Sequence, residues 1–206
     1  MIAVVDYGRG NLFSLGQALR HLGASFEITA DPSRVRSADR VILPGVGAFG
    51  DAMVKLRSLG MVEALRDIVS RGVPLLGICL GMQVLASRGE EFGLHEGLGF
   101  IPGTVTRLPE GNGRPDSVRI PNVGWRLLKP MAGHGLLSDL TPGMMMYFVH
   151  SYTPIVDDAV HVAATTEVNG MAVAAVIHRD NVVGYQFHPE KSGTAGLTLL
   201  GRFLKL

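Results

Sequence analysis

The only cysteine of the chain, Cys79, stands where a nucleophile could be activated. It follows the apolar residues 75–78, which predict a buried strand, and apolar residues at helical spacing resume at Met82. Glycines at positions 77 and 81 permit a tight strand-to-helix turn of the kind called a nucleophile elbow. The free N–H groups at the start of a helix stabilise negative charge on a thiolate or an oxyanion. A lone cysteine in an apolar segment is equally consistent with a small buried side chain.

A second segment, near the C-terminus, supplies a base for that thiol. Residues 183–187 alternate as a strand does, and His188 and Glu190 follow. These two side chains lie on the same face if the strand geometry continues, because they are two residues apart. His188 would deprotonate Cys79, and Glu190 would fix the imidazole tautomer and stabilise the imidazolium. A lone His-Pro-Glu is more typical of a surface turn, but together with the cysteine it favours a Cys-His-Glu triad.

The elements that must position these residues begin as alternating strands and helices. Predicted strands cover 2–5, 26–29, 41–43 and the segment ending at Cys79, and predicted helices cover 12–22, 52–59 and 61–69. Alternating βαβ units predict a parallel sheet with helices on both faces. Ligands on such sheets bind at the carboxyl ends of the strands, where Cys79 and the loop 44–47 both fall.

From residue 98 onward the sequence predicts short strands and turns. The predicted strands cover 98–101, 104–108, 145–150, 160–165, 172–178 and 182–187, and a closing helix covers 197–204. This half predicts a mixed extension of the sheet that carries His188 to Cys79. The polar, glycine-rich segment 109–116 predicts a mobile loop. We expect one domain over residues 1–206.

Composition excludes several classes of protein. Hydrophobic residues make up 47% and charged residues 18%, which is typical of a globular chain. The formal net charge of +1 argues against a nucleic-acid-binding protein. We expect a cytoplasmic location, because one cysteine suits a reducing compartment and the chain opens as a strand without a leader. We expect no membrane span, since no apolar run has the length, and neither metal nor cofactor, since the remaining histidines lack metal-ligand spacing.

Two motifs together resemble the signature of class I glutamine amidotransferases, whose glutaminases use a thiol triad. They are Gly-Ile-Cys-Leu-Gly-Met-Gln at 77–83 and Gln-Phe-His-Pro-Glu at 186–190. The segments 6–12, 43–49, 121–125 and 147–152 are similar, more narrowly, to the glutaminase subunit of imidazole glycerol phosphate synthase, of histidine biosynthesis. The resemblance implies a flavodoxin-like α/β fold and hydrolysis of glutamine to glutamate and ammonia. It also implies a heterodimer with a (β/α)8 cyclase subunit that receives the ammonia.

The resemblance further implies roles for residues around the triad. The oxyanion donors would be Val46, Gly47 and Leu80, of which Leu80 also follows from its place at the predicted helix start. Glutamine would be bound by Gly45, Gln83, Glu91, Ser151 and Tyr152. The partner would be contacted by Asn11, Trp125, Tyr147 and Lys191. On the residues alone, the loop 44–47 is a plain turn, Gln83 and Glu91 face solvent, and Trp125 is as consistent with a core aromatic as with an interface.

Two positions depart from the pattern expected of that subfamily. Asn122 precedes the Gly-Trp pair where a histidine is usual, and Arg126 follows it in place of an asparagine. Segment 90–97 also differs from the more common glycine-rich version. None of these changes touches the triad, but they fall on the side expected to face the partner. They leave open a paralogous glutaminase subunit that supplies ammonia to a sugar-modifying amidotransferase of surface-polysaccharide synthesis.

Two alternatives come from other classes. A catalytically silent regulatory module on the same fold would have no need of Cys79, His188 and Glu190, so their presence argues against it. A cysteine hydrolase or peptidase of similar architecture would place its histidine close after the cysteine, whereas His188 lies far downstream. Labelling with a glutamine-like electrophile separates both alternatives from a glutaminase, which fold analogy alone cannot do.

Overall fold

The computed structural model describes residues 1–111, 118–131, 135–137 and 143–206. The predicted mobile loop 109–116 lies for the most part outside these described residues. The α-helices are α1 (Leu12–His21), α2 (Pro32–Arg36), α3 (Phe49–Ser58), α4 (Met61–Ser70), α5 (Leu80–Gln83) and α6 (Gly193–Phe203). Short 3-10 turns cover Gly135–Leu137, Ala159–His161 and Pro189–Lys191.

The strands are numbered in chain order. The first seven are β1 (Ile2–Val5), β2 (Phe26–Thr29), β3 (Arg40–Gly45), β4 (Leu75–Cys79), β5 (Ala86–Gly89), β6 (His95–Glu96) and β7 (Ile101–Arg107). The others are β8 (Asn122–Leu127), β9 (Lys129–Pro130), β10 (Met145–His150), β11 (Tyr152–Val156), β12 (Val162–Val168), β13 (Met171–Arg179) and β14 (Val182–Tyr185).

The central sheet has the order β2-β1-β3-β4-β14-β13-β12-β9. The first five strands are parallel and the last three are joined by antiparallel pairings. Strands β1 and β4 are buried along their whole length, because helices cover both faces of a parallel sheet. Two smaller sheets, β10-β8 and β11-β7-β5-β6, complete the described part. The prediction of an α/β fold with a mixed extension is confirmed.

Each face of the sheet has its own hydrophobic core. Successive strand residues point to opposite faces, and in β1 Ala3 and Val5 join the core covered by α2, α3 and α4. The alternate residues Ile2 and Val4 join the core covered by α1 and α6. The last helix therefore packs on the same face as the first one.

The ends of several elements differ from the predictions for physical reasons. Helix α3 begins at Phe49 rather than at residue 52, because the carboxylate of Glu91 accepts a hydrogen bond from the Phe49 amide at 2.8 Å. Such a cap from a distant segment cannot be recognised locally. Helix α2 was not predicted, although Asp31 caps it and Pro32 occupies its first position, which are standard start signals.

The two segments that carry the predicted triad are also shorter than expected. Helix α5 ends at Gln83 because the chain turns at once into β5. Strand β14 ends at Tyr185, and Glu190 lies in a 3-10 turn rather than on a continued strand. The condition that the strand geometry continues to His188 and Glu190 is therefore not met, and the 3-10 turn brings the two side chains together instead. Among the described residues, no helix combines the length and the apolar character needed to cross a lipid bilayer.

Candidate active site

Cys79 lies at the turn between the buried strand β4 and the helix α5. Its backbone has φ 56° and ψ −112°, a conformation that side-chain-bearing residues rarely adopt. A residue held there costs about 1–3 kcal/mol, which surrounding packing must offset. Cys79 is opposite Gly45 of β3, and its neighbour Ile78 is opposite Tyr185 of β14. The sulfur is thus presented at the carboxyl edge of the sheet, between two parallel strands.

Two glycines allow the elbow to fold this tightly. A Cβ on Gly77 would lie 2.5 Å from the carbonyl oxygen of Gly81. A Cβ on Gly81 would lie 1.8 Å from the carbonyl oxygen of Leu43, in β3. Real side chains do not tolerate such distances to backbone atoms, so α5 can sit against β3 only because these positions lack a Cβ.

His188 and Glu190 form a buried pair just beyond β14. The distance between His188 Nδ1 and Glu190 Oε1 is 2.8 Å, and the two side chains are 4% and 3% exposed. The main chain of His188 is fixed as well, since its N–H donates to Tyr147 O at 2.9 Å. Its carbonyl oxygen accepts from Ser192 Oγ at 2.6 Å. Within the described residues, the other ring nitrogen, Nε2, is buried and has no hydrogen-bond partner.

The pKa of His188 reflects opposing influences. Burial is the largest single one, and it lowers the pKa because it penalises the charged imidazolium. The Cys79 sulfur and the Glu190 carboxylate both favour the imidazolium, and together they raise the pKa above its ordinary value. The arrangement therefore favours a protonated His188.

A cavity of about 270 Å³ opens beside the sulfur. Its wall contains Cys79 and seven of the residues predicted to bind substrate or oxyanion, which are Val46, Gly47, Leu80, Gln83, Glu91, Ser151 and Tyr152. Pro121, Val149 and His150 complete the wall. Gly45 is not among the lining residues. In the described ranges, no group of three His, Cys, Asp or Glu side chains is arranged to hold a metal ion.

Gly45, the remaining residue predicted to bind glutamine, does not line the cavity, although it precedes Val46 and lies opposite Cys79 in the strand register. Gly45 is a buried residue of β3, and a Cβ there would lie 2.3 Å from the hydroxyl oxygen of Tyr7. Its place in the structure is explained by close packing behind the cavity rather than by exposure to it.

Gln83 does not face solvent as the residues alone suggested, and Glu91 is half-buried with its carboxylate on the Phe49 amide. Gln83 is buried, and its Nε2 donates to Tyr152 O at 2.9 Å and to Gln186 Oε1 at 3.2 Å. Gln186 in turn points its own Nε2 at the Cys79 sulfur, at 3.9 Å. In the sequence, Gln186 is visible only as the first residue of the 186–190 motif. Its burial beside the sulfur depends on the pairing of β14 with β4, which are far apart in the sequence.

Three of the four residues predicted to contact a partner lie together. The rings of Trp125 and Tyr147 meet edge to face with their centroids 6.0 Å apart, and Lys191 Nζ lies 5.9 Å from the centre of the Tyr147 ring. Trp125 is 49% exposed, so it is not a core aromatic. Asn11 is the N-cap of α1, and its side-chain oxygen accepts a hydrogen bond from the Ser14 amide at 3.4 Å.

Tyr7 is a second residue that the sequence analysis did not single out. It is 1% exposed, and its buried hydroxyl has no hydrogen-bond partner in the described part of the chain. Burial raises its pKa above the ordinary value, and the negative charge of Cys79 raises it further. In the sequence it is visible only as a member of the segment 6–12, two residues after the end of β1.

We expect Tyr7→Phe to stabilise the fold by about 1 kcal/mol, because it removes a buried hydroxyl that has no hydrogen-bond partner among the described residues and leaves the ring unchanged. Urea denaturation of the two proteins measures this difference. A loss of stability would show that the hydroxyl has a partner, such as an ordered water.

We expect the free energy of unfolding to fall by about 3 kcal/mol between about pH 7 and pH 4 because of His150. Burial chiefly lowers the pKa of His150 from 6.5 to about 4, and the charges of His188 and Arg126 add to this. The unfolded chain therefore takes up the proton first as the pH falls, and stability is lost in that window. Urea denaturation across this range should show a flatter profile for His150→Gln, and identical slopes would contradict the prediction.

The fold and the site together define a class of protein: an α/β enzyme with a thiol on a nucleophile elbow and a buried His-Glu pair beyond the neighbouring parallel strand. The family model for class-I glutamine amidotransferases matches residues 3–205, and the chain belongs to that family.

Relatives in this family extend over the whole chain. The imidazole glycerol phosphate synthase subunit HisH of Chloroflexus aurantiacus is 48% identical over 208 residues, covering all of this chain and 95% of that protein. The protein of the same name from Herpetosiphon aurantiacus is 47% identical over 206 residues, covering all of this chain and 94% of the relative. Among solved structures, PurLQS from Thermotoga maritima matches with a TM-score of 0.75 at 20% identity, over 99% of this chain and 97% of that one. That structural match confirms the fold.

Proposed function

We propose that this protein is the glutaminase subunit of an imidazole glycerol phosphate synthase. It hydrolyses the side-chain amide of glutamine and passes the ammonia to a (β/α)8 cyclase subunit in histidine biosynthesis. The observation that carries the chemistry is the Cys79 elbow beside the buried His188–Glu190 pair. The pathway is supported by full-length relatives that are 47% and 48% identical.

The mechanism begins with attack of the Cys79 thiolate on the carboxamide carbon of glutamine. The developing oxyanion is held by the amide N–H of Leu80 and by the loop that carries Val46 and Gly47. His188, protonated beside the sulfur, gives its proton to the departing nitrogen, the C–N bond breaks, and ammonia leaves a glutamyl thioester. Water that loses a proton to His188 then attacks the thioester, which releases glutamate and restores the thiolate–imidazolium pair.

Glu190 acts through His188. Its carboxylate lies 2.8 Å from Nδ1, so Nδ1 carries a hydrogen that is donated to it and Nε2 is the nitrogen that exchanges protons with the reacting groups. The buried Nε2 without a partner is explained in this way. Because both side chains are buried, water does not compete for these hydrogen bonds.

The cavity suits the α-amino and α-carboxylate ends of glutamine. Both N–H groups of Gln83 are already donated, so its carbonyl oxygen is the group available to a substrate ammonium. Glu91 uses Oε2 for the Phe49 amide, and its Oε1 can accept from the same ammonium. The backbone of Ser151 and Tyr152 lies in the cavity wall beside them.

The partner contact is assigned to the exposed cluster of Trp125, Tyr147 and Lys191, together with Asn11. Tyr147 also joins this cluster to the triad, because its carbonyl oxygen accepts from the His188 amide and its own amide donates to Ser192 Oγ at 2.9 Å. A subunit docked on the cluster would therefore lie close to the segment that carries His188.

We expect Trp125→Ala to weaken binding of the cyclase subunit by about tenfold or more, because exposed aromatic residues dominate such interfaces. The melting temperature should change little, since the side chain is half-exposed. Titration calorimetry against the cyclase measures the affinity. Val54→Ala, which removes an exposed apolar side chain from α3 on the other face of the sheet, is the control. Unchanged affinity with a collapsed melting temperature would contradict the interface role.

The test of the function is glutamate release by the purified chain, alone and with a histidine-pathway cyclase subunit and its nucleotide ligand. A large stimulation by the cyclase is the expected result. Absence of stimulation, with Cys79 still labelled by a glutamine analogue, would favour the paralogue that serves a sugar-modifying amidotransferase. Absence of both hydrolysis and labelling would favour a silent regulatory module.

A further inference from the structure

The two departures from the subfamily pattern, Asn122 and Arg126, are bonded to each other. Arg126 Nε donates to Asn122 Oδ1 at 3.0 Å. Asn122 is fully buried at the start of β8, directly opposite His150, the last residue of β10. Asn122 Nδ2 lies 2.9 Å from His150 Nε2, and His150 Nδ1 lies 2.8 Å from Tyr152 O. His150 and Tyr152 both line the cavity beside Cys79.

The hydrogen bonds that run from Arg126 through Asn122 and His150 to Tyr152 fit only one arrangement of hydrogens. A guanidinium nitrogen donates and cannot accept, so the oxygen of Asn122 faces Arg126 and its NH2 group faces His150. Nε2 of His150 must then accept, because an NH2 group offers only donors. A carbonyl oxygen cannot donate, so Nδ1 must carry the hydrogen that goes to Tyr152 O. The ring is therefore neutral, with its proton on Nδ1.

The carbonyl of Tyr152 connects this series to the wall of the cavity. It accepts from His150 and also from Gln83 Nε2. Since Gln83 gives its other hydrogen to Gln186 Oε1, the amide of Gln83 is held with its oxygen in one direction. A change of tautomer at His150 would place two acceptors against each other at Tyr152 O and would release the carbonyl that holds Gln83.

We infer that His150 is a positioning residue of the glutamine-binding cavity, held by Asn122 and Arg126 as the neutral imidazole with its proton on Nδ1. The part played in binding glutamine rests on the proposed function. The low pKa of His150 agrees with a neutral ring at physiological pH. Asn122 and Arg126 thus act as a pair: the arginine orients the amide, and the amide selects the tautomer.

The first test is the nitrogen-15 NMR spectrum of the full chain labelled in its histidines, with His150 assigned by its loss in His150→Gln. We expect Nδ1 protonated and Nε2 unprotonated at about pH 7. A proton on Nε2 in the wild-type protein would overturn the inference. The protonation state is read from the wild-type protein and needs no catalytic activity, and the variant serves only to assign the signals of His150.

The second test is Asn122→Asp, which places a carboxylate against Nε2 and favours a proton there, so the ring becomes the other tautomer or an imidazolium instead of the neutral Nδ1–H form. We expect KM for glutamine to rise about tenfold, with kcat changed by less than about threefold, measured with the cyclase subunit present. The matched control is Asn169→Asp. Asn169 is a side chain that donates to Pro109 O and Val118 O and lies outside the cavity wall. The control should lower the melting temperature and leave KM unchanged.

The outcomes separate the inference from the function on which it rests. If the wild-type protein is active and Asn122→Asp and Asn169→Asp have the same KM for glutamine, the positioning role of His150 is overturned and the proposed function is not. A wild-type protein that hydrolyses no glutamine with any partner would overturn the proposed function, whatever tautomer His150 has.

Discussion

Replacement of Cys79 by alanine should lower glutamate release by at least about 10⁴-fold, because no other group in the cavity can form the thioester. The fold should survive this change. The sulfur makes only long contacts, at 3.8 Å to Val149 O and 3.9 Å from Gln186 Nε2, and an alanine occupies the same backbone conformation at the same cost. Glutamate production and the melting temperature, measured on one preparation, test both statements.

Cys79→Gly is the informative companion variant. Glycine adopts the positive φ of this turn without strain, so we expect Cys79→Gly to be equally inactive and more stable than Cys79→Ala by about 1 kcal/mol. Glutamine hydrolysis retained by either variant would refute the triad. A lower stability of the glycine variant would show that the elbow is not strained.

Gly81→Ala should destabilise the protein by more than about 4 kcal/mol or prevent its folding. The added Cβ would lie 1.8 Å from Leu43 O, and neither backbone can move without breaking the parallel pairing of β3 and β4. Urea denaturation followed by circular dichroism measures the loss.

Gly201→Ala is the matched control for that experiment. Gly201 lies inside α6, where an added Cβ would meet only Leu22 Cδ2, at an ordinary contact distance of 3.7 Å. Alanine should stabilise the helix there by up to about 1 kcal/mol. Equal effects of the two substitutions would mean that the elbow has room the structure does not show.

Much of the fold and of the site was predictable from the sequence, because local signals specified it. The apolar strand before Cys79 and the glycines around it predicted the elbow, and alternating patterns predicted the parallel sheet. What could not be predicted depends on contacts between distant segments. Glu91 caps α3 across the chain, and Gln186 lies against the sulfur only after β14 pairs with β4.

The pair of His188 and Glu190 shows a further limit of local signals. The residue types predicted that the two side chains would act together, but the strand does not continue to them, because Pro189 begins a 3-10 turn. The roles of Asn122 and Arg126 also required the structure, since each was visible in the sequence only as an unexpected residue. The structure shows that the two unexpected residues are bonded to each other.

The position of β14 has a consequence for how the protein is made. This strand is near the end of the chain, yet it lies in the middle of the sheet, parallel to β4 and antiparallel to β13. On the ribosome the nucleophile therefore emerges long before its base, and β4 presents an unpaired apolar edge until the last hairpin is inserted. A chain that stops before residue 182 should be prone to aggregate, and it releases no ammonia. Both the pairing of β4 with β14 and the approach of His188 to Cys79 therefore require the residues from 182 onward.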